Sequence, residues 1–173
     1  NSSFDSIDAQ INVEGTQYVG SIVGCLRTRE DGSESSLTNS ISSTFVAADY
    51  LAGGLIGHVD AEDDTEITVS GNTSDGAVSG NSDVGGFIGQ VDIDNSATVS
   101  ILNNDNSSNL TGQYTVGGIV GESDVDDDGT LQLNGNSNLT DITSGDYAAG
   151  IIGSLNLEEV GATAVVDENT NSG

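Results

Sequence analysis

The chain has no lysine, proline, methionine or tryptophan, and among its 173 residues it holds one cysteine, one histidine and two arginines. Each absence excludes something. The lone Cys25 cannot close an internal disulfide, and with His58 the only histidine and no CxxC spacing there are too few ligands for a structural zinc site. Two cations against 28 acidic residues leave a net charge of −26, a field that repels nucleic acid and anionic membrane surfaces before contact. No run of about 18 apolar residues is present to cross a bilayer. A β-helical polysaccharide lyase needs cations to neutralise a uronate and hold the developing anion, and this chain lacks them. Cys25 and His58 stand 33 positions apart and do not argue for a nucleophile and its base, although one stacked coil would bring them near each other. The composition therefore reads as non-enzymatic, with no catalytic residue and no cofactor. With few aromatics, any core must be assembled from Val, Ile, Leu and Ala, in short runs punctuated by Gly, Asn, Asp and Ser that favour strands and tight turns.

What is abundant is repetition. The phrases YVGSIVG, LAGGLIG, DVGGFIG, TVGGIVG and YAAGIIG end at Gly24, Gly57, Gly89, Gly121 and Gly153, at intervals of 33, 32, 32 and 32 residues. A fixed period of this length, with no helix-length segment between copies, marks a chain that stacks equivalent coils. The repeat runs through residues 1–173 as a single domain, with partial coils at both ends. After each glycine, Val59, Val91, Ser123 and Leu155 share a column, and Ala61, Ile93, Val125 and Leu157 share the next. Between them stand Asp60, Asp92, Asp124 and Asn156, then Glu62, Asp94, Asp126 and Glu158. Apolar inward and acidic outward with a period of two is the pattern of a half-buried strand. A second strand carries Ile67/Val69, Val99/Ile101 and Leu131/Leu133, and a third inward position is marked by Val13, Val46, Val78, Leu110 and Ile142. The expected fold is all-β: a parallel β-solenoid of about five coils, 32–33 residues each with about three strands per coil and a triangular section.

Several columns carry candidate roles. Asn39, Asn72, Asn104 and Asn136 recur as an asparagine ladder at a corner that needs left-handed backbone, joined by Asn169 if one residue is inserted. Within the glycine phrase two adjacent columns are both apolar, Ile22/Leu55/Phe87/Ile119/Ile151 and Val23/Ile56/Ile88/Val120/Ile152. Either the neighbouring glycines bend the chain so that both face inward, or Val23, Ile56, Ile88, Val120 and Ile152 form an exposed stripe for self-association. Sequons at Asn1, Asn72, Asn106, Asn109 and Asn138 suit glycosylation at corners.

Stacked carboxylates one strand apart repel by about 1 to 3.5 kcal/mol per pair. Calcium is one answer, with Asp92, Asp94, Asp124, Asp126, Asp127 and Asp128 as ligands, although the GGxGxD spacing of calcium-binding solenoids and the later glutamate of an EF-hand loop are missing. A hydrated, salt-screened face is the other. Arg27 and Arg29 fall one coil before Asp60 and Glu62 and are expected to pair with them, each exposed pair contributing about 0–1 kcal/mol. His58, at a position filled elsewhere by Cys25, Gln90, Glu122 and Ser154, reads as a surface residue.

The glycine phrase resembles the GLUG-type repeat of bacterial and archaeal surface and adhesin-like proteins, through five phrases and, by their spacing, nearly the whole chain. Ser21 and Ala149 each replace one glycine of the pair, in the first and last phrases. The resemblance implies a surface-exposed, non-catalytic architecture and brings no active-site residues. The expected function is an extracellular structural protein, secreted or on the cell surface: a subunit of a self-associating filament or the stalk of an adhesin, whose partners are copies of itself head to tail or laterally. The alternative is a calcium-dependent module that binds carbohydrate or a surface through the acidic face. The chain opens at Asn1 without a methionine and reads as a processed product or an excerpt of something longer.

Overall fold

In the computed structural model, which describes residues 1–173, the chain forms 27 β-strands and no helix. Strands of equivalent sequence stack in parallel, one per coil, into five sheets. The first sheet is exemplified by Glu66–Ser70 and Thr98–Leu102, the second by the two-residue strands Thr73–Ser74 and Asp105–Asn106, and the third by Ala77–Gly80 and Asn109–Gly112. The fourth is built from the start of the glycine phrase, as in Asp83–Gly85 and Thr115–Gly117, and the fifth from the segment after it, as in Ile88–Ile93 and Val120–Val125. The three expected strands are the first, third and fifth; two short ones join them at the ladder corner and in the glycine phrase.

The expected columns are the observed neighbours. Val59, Val91, Ser123 and Leu155 stand in register in the fifth sheet, as do Ala61, Ile93, Val125 and Leu157. In the first and third sheets Val69, Ile101 and Leu133 are stacked, and so are Val46, Val78, Leu110 and Ile142. Ser123 is fully buried in an otherwise apolar column and its hydroxyl finds no partner. The main core lies between the first and fifth sheets; a smaller cluster around Val46, Val78, Val84, Leu110 and Val116 lies under the third and fourth.

The glycine phrase settles the two adjacent apolar columns. Leu55, Ile56, Phe87, Ile88, Ile119 and Val120 are all fully buried in the main core. Their backbone shows how: the Phe87 carbonyl accepts both Leu55 N–H at 3.0 Å and Ile56 N–H at 2.9 Å, and the Ile151 carbonyl likewise accepts Ile119 and Val120. Two successive donors on one acceptor make a bulge, which spends one residue without advancing the alternation. The self-association stripe is therefore corrected: Ile56, Ile88 and Val120 are interior, and Val23 and Ile152 are part-exposed only as members of the end coils.

The asparagine ladder exists with one member changed. Asn72, Asn104 and Asn136 are buried, and the Oδ1 of each later residue accepts both the backbone N–H and the Nδ2–H of the one before, at 2.9 to 3.1 Å. Each Nδ2 also donates to a carbonyl, as Asn104 does to Val69 at 3.0 Å. Asn169 closes the row with one inserted residue, as the sequence suggests. Asn39 does not belong to it. The register pairs Thr38 with Ser70, so Ser40 occupies the ladder site, and its N–H is received by Asn72 Oδ1 at 2.9 Å. Asn39 sits one residue earlier at φ 50°, in the left-handed column with Gly71, Asn103 and Gly135, and donates to Asp5. The cause is the loop 29–33, one residue longer than 62–65: Thr28 pairs with Ala61 but Glu34 with Glu66.

A second polar ladder runs two residues further on, in the second sheet. Asn106 donates to Asn138 Oδ1 at 2.7 Å and Asn138 to Asn171 at 2.8 Å, with Ser74 and Ser42 in the same column of earlier coils. This overturns three of the proposed glycosylation sites. Asn72, Asn106 and Asn138 are buried to 1%, 0% and 0% exposure with their amides engaged, which leaves no space for a glycan; Asn109 and Asn1 are exposed.

Candidate functional site

The outward face of the fifth sheet collects almost every charged or reactive group that the sequence singles out. Alternation sends residues 58, 60 and 62 and their equivalents to this face while Val59 and Ala61 go inward, and in-register stacking then sets like residues above one another. Asp60 is buried despite this orientation, because the arginines of the preceding coil close over it. Arg27 Nε lies 2.7 Å from Asp60 Oδ2, and Arg29 Nη2 lies 2.9 Å from the same oxygen and 3.0 Å from Glu62 Oε1. Both expected pairs form, and Arg29 bridges the two acids. Burial alone would raise the Asp60 pKa, but the hydrogen bonds from Arg29 and Arg27 hold it below the ordinary value.

The rest of the aspartate column is supplied with donors rather than left to repel. His58 Nε2 reaches Asp92 Oδ2 at 2.8 Å, Gln90 Nε2 reaches Asp124 Oδ2 at 3.3 Å, and Asn156 Nδ2 donates to Asp124 Oδ1 at 2.6 Å and Glu122 Oε1 at 3.2 Å. Donors from neighbouring coils thus reach Asp60, Asp92 and Asp124, while the next outward-facing column, Asp94, Asp126 and Glu158, receives none. Asp92, Asp94, Asp124, Asp126 and Glu158 line one open depression. Burial, then Asp126 and Glu62, raise the pKa of Asp94, and single oxygens of Asp92 and Asp126 are buried without a partner. The side chains form stacked rows, and no group of three or more His, Cys, Asp or Glu is gathered as a metal ion requires. Asp127 and Asp128 are elsewhere: with φ of 38° and 63° they make the exposed corner between the fifth and first sheets, where Asp63/Asp64 and Asn95/Ser96 do the same. Successive left-handed residues favour Asn and Asp, which accounts for the acidic run without a ligand role.

His58 is not the surface residue expected. Its side chain is 5% exposed, stacked on Tyr18 with ring centroids 4.8 Å apart, with Nδ1 3.6 Å from Cys25 Sγ and Nε2 on Asp92. One stacked coil does bring the cysteine and histidine together.

The same column carries Glu122, which pairs with Asp83 of the fourth sheet, a contact the repeat alignment does not reveal because the two residues belong to different phrases. Asp83 is buried and receives the Ser82 hydroxyl at 2.9 Å. Burial, then the Asp83 and Asp124 charges, push the Glu122 pKa up to about 7, and burial raises that of Asp83. A carboxyl whose pKa rises on folding gives the native state the extra proton; stability from it is complete below the ordinary value and lost as pH climbs through the folded one. The thermal midpoint is expected to fall between pH 4.5 and about 7, and Glu122→Gln, which keeps a donor without titrating, should flatten that slope. Asp60 acts in the opposite sense at lower pH, its contribution fading as pH drops below 3.8. Melting curves across both windows, for wild type and variant, check the assignment.

Comparison with protein-family models, with curated proteins and with solved structures finds no match for the chain.

Proposed function

We propose that the chain is a non-enzymatic structural segment of an extracellular, cell-surface protein, the subunit of a self-associating filament or the stalk of an adhesin, and that it works by adding coils end to end. The observation that carries this reading is the pair of open sheet edges. The first and last coils each present strands of all five sheets with one side unpaired within the chain, and core columns that are fully buried at Leu55, Phe87 and Ile119 become part-exposed at Ile22 and Ile151. Such an edge is a template for another coil in the same register, whether that coil lies in the same polypeptide or in a second copy.

Charge supports the head-to-tail direction. A first coil docked on the last in the same register would put Arg27 beside Asn156 and Arg29 beside Glu158, the latter a pair of opposite charge. Lateral contact is disfavoured by the −26 charge until salt screens it. The resemblance to GLUG-type surface repeats points the same way.

Electron microscopy and light scattering of the purified chain in chelator test the reading. Rods of increasing length with rising concentration and salt, shortened by Arg29→Glu, are expected. A monodisperse monomer at all concentrations contradicts it, and assembly or glycan binding only with added calcium favours the calcium-dependent module instead.

A further inference from the structure

Three successive coils set Cys25, His58 and Asp92 in one line across the fifth sheet. His58 Nδ1 stands 3.6 Å from Cys25 Sγ, and its Nε2 stands 2.8 Å from Asp92 Oδ2. A carboxylate only accepts, so Nε2 carries a hydrogen; in the neutral imidazole the Nδ1 lone pair then faces the thiol. The imidazole cannot turn away: it is 5% exposed and stacked on Tyr18. The sulfur, by contrast, belongs to an exposed residue at the margin of an open depression lined by Gln17, Tyr18, Gly20 and Gly24. A reachable thiol, a buried base aimed at it and an acid that orients the base are the parts of an activated nucleophile.

We propose that Cys25 is a thiol–disulfide exchange site, with His58 as the base that takes the thiol proton, Asp92 as the residue that positions His58, and an uncharged low-molecular-weight disulfide as the reactant. The Cys25 proton passes to His58 Nδ1, and the thiolate attacks one sulfur of the incoming disulfide. The new bond from Sγ forms as the old sulfur–sulfur bond breaks. The departing thiolate takes the proton from Nδ1, so that Cys25 ends as a mixed disulfide, one half of the reactant ends as a thiol, and the imidazole is neutral again. No outside oxidant is needed.

The electrostatic surroundings make the base necessary. Burial raises the Cys25 pKa, Arg27 and Arg29 lower it, and Asp60 and Asp92 raise it. The group rests as a thiol, and little thiolate exists near neutrality until a base removes the proton. A thiolate of high basicity is also the stronger nucleophile once formed. The net charge of −26 selects against anionic disulfides, and an uncharged one is not repelled.

Neutral dithiodipyridine, whose released thiopyridone is followed by absorbance, is the probe, and Cys25 is the single thiol it can meet. Near neutral pH, and at low salt and protein concentration where no second copy covers the first-coil edge, the native chain should react to one equivalent, at a rate at least about tenfold above that of His58→Gln. The two should converge in denaturant, where the line of residues no longer exists. Asp92→Asn should fall between them and shift the midpoint of the pH–rate profile, which a purely structural role for Asp92 does not do. A His58→Gln chain that melts normally and reacts as fast as wild type overturns the proposal. If that variant does not fold, Asp92→Asn decides: a rate and pH midpoint equal to wild type overturn it too.

Discussion

Asn104→Leu is expected to lower the unfolding free energy by about 3 kcal/mol or more, although the site is fully buried and leucine is the more apolar residue. The reason is the number of groups that depend on one carboxamide. Oδ1 receives the Asn72 N–H and the Asn72 Nδ2–H, and Nδ2 donates to Val69 O and Asn136 Oδ1. Leucine leaves the two Asn72 donors and the Val69 carbonyl without partners in the interior, at roughly 1–3 kcal/mol each, against a gain of about 1.5–3 kcal/mol for burying its own side chain. The shape-matched Asn104→Asp is expected to be no better, because it turns a donor into a second acceptor and places a charge where no cation stands. At the exposed Asn109, the same change to leucine should stay within about 0.5 kcal/mol. Denaturant titration of the three variants against wild type measures all of these.

The second large effect is expected at Gly86. A Cβ built there overlaps the Gly118 carbonyl oxygen of the next coil and the Asn106 carboxamide of the second ladder. Neither neighbour can yield: the first is backbone held in a sheet, and Asn106 is fixed by its bonds to Asn138 Oδ1 and the Ser108 N–H. Gly86→Ala should therefore destabilise by about 3 kcal/mol, a large fraction of a typical domain's stability, and Gly86→Val should prevent folding. Circular dichroism melts of the two variants give the size of the effect.

The two sites also show what was legible in the sequence. A period of 32 residues with β-strand alternation carries the parallel stacking, the columns of the core and most of the ladder, because in-register stacking turns a sequence interval directly into a spatial neighbour. The Arg27–Asp60 and Arg29–Glu62 pairs follow from the same rule. Misreadings arise where one residue is inserted or absorbed. The extra residue in loop 29–33 moves Asn39 out of the ladder and Ser40 into it, and the bulge in each glycine phrase lets two adjacent apolar columns face the same core. The second ladder was readable in principle from Asn106 and Asn138, whose spacing matches the first, but as sequons they suggest exposed corners. Contacts between columns, such as Glu122 with Asp83 or His58 with Tyr18, depend on how the fourth and fifth sheets meet and leave no trace in a one-dimensional period.

For function, what matters is that no coil is self-sufficient. Each buries its apolar face and satisfies its amides against the coils on either side, as Asn104 does with Asn72 and Asn136. The same stacking creates the acidic face, in which Asp60, Asp92 and Asp124 receive Arg27, His58, and Gln90 with Asn156 respectively.

Removal of residues 90–121, one whole coil, compared with removal of residues 90–105, tests the central claim most directly. If residues 32 positions apart are interchangeable vertical neighbours, the whole-coil deletion joins Gly89 to Glu122 with every column intact. It should keep its β-sheet spectrum and a cooperative melt, while the half-coil deletion should leave the chain unfolded. Equal loss of structure in both, or retention in the half-coil deletion alone, would contradict the stacked-coil account.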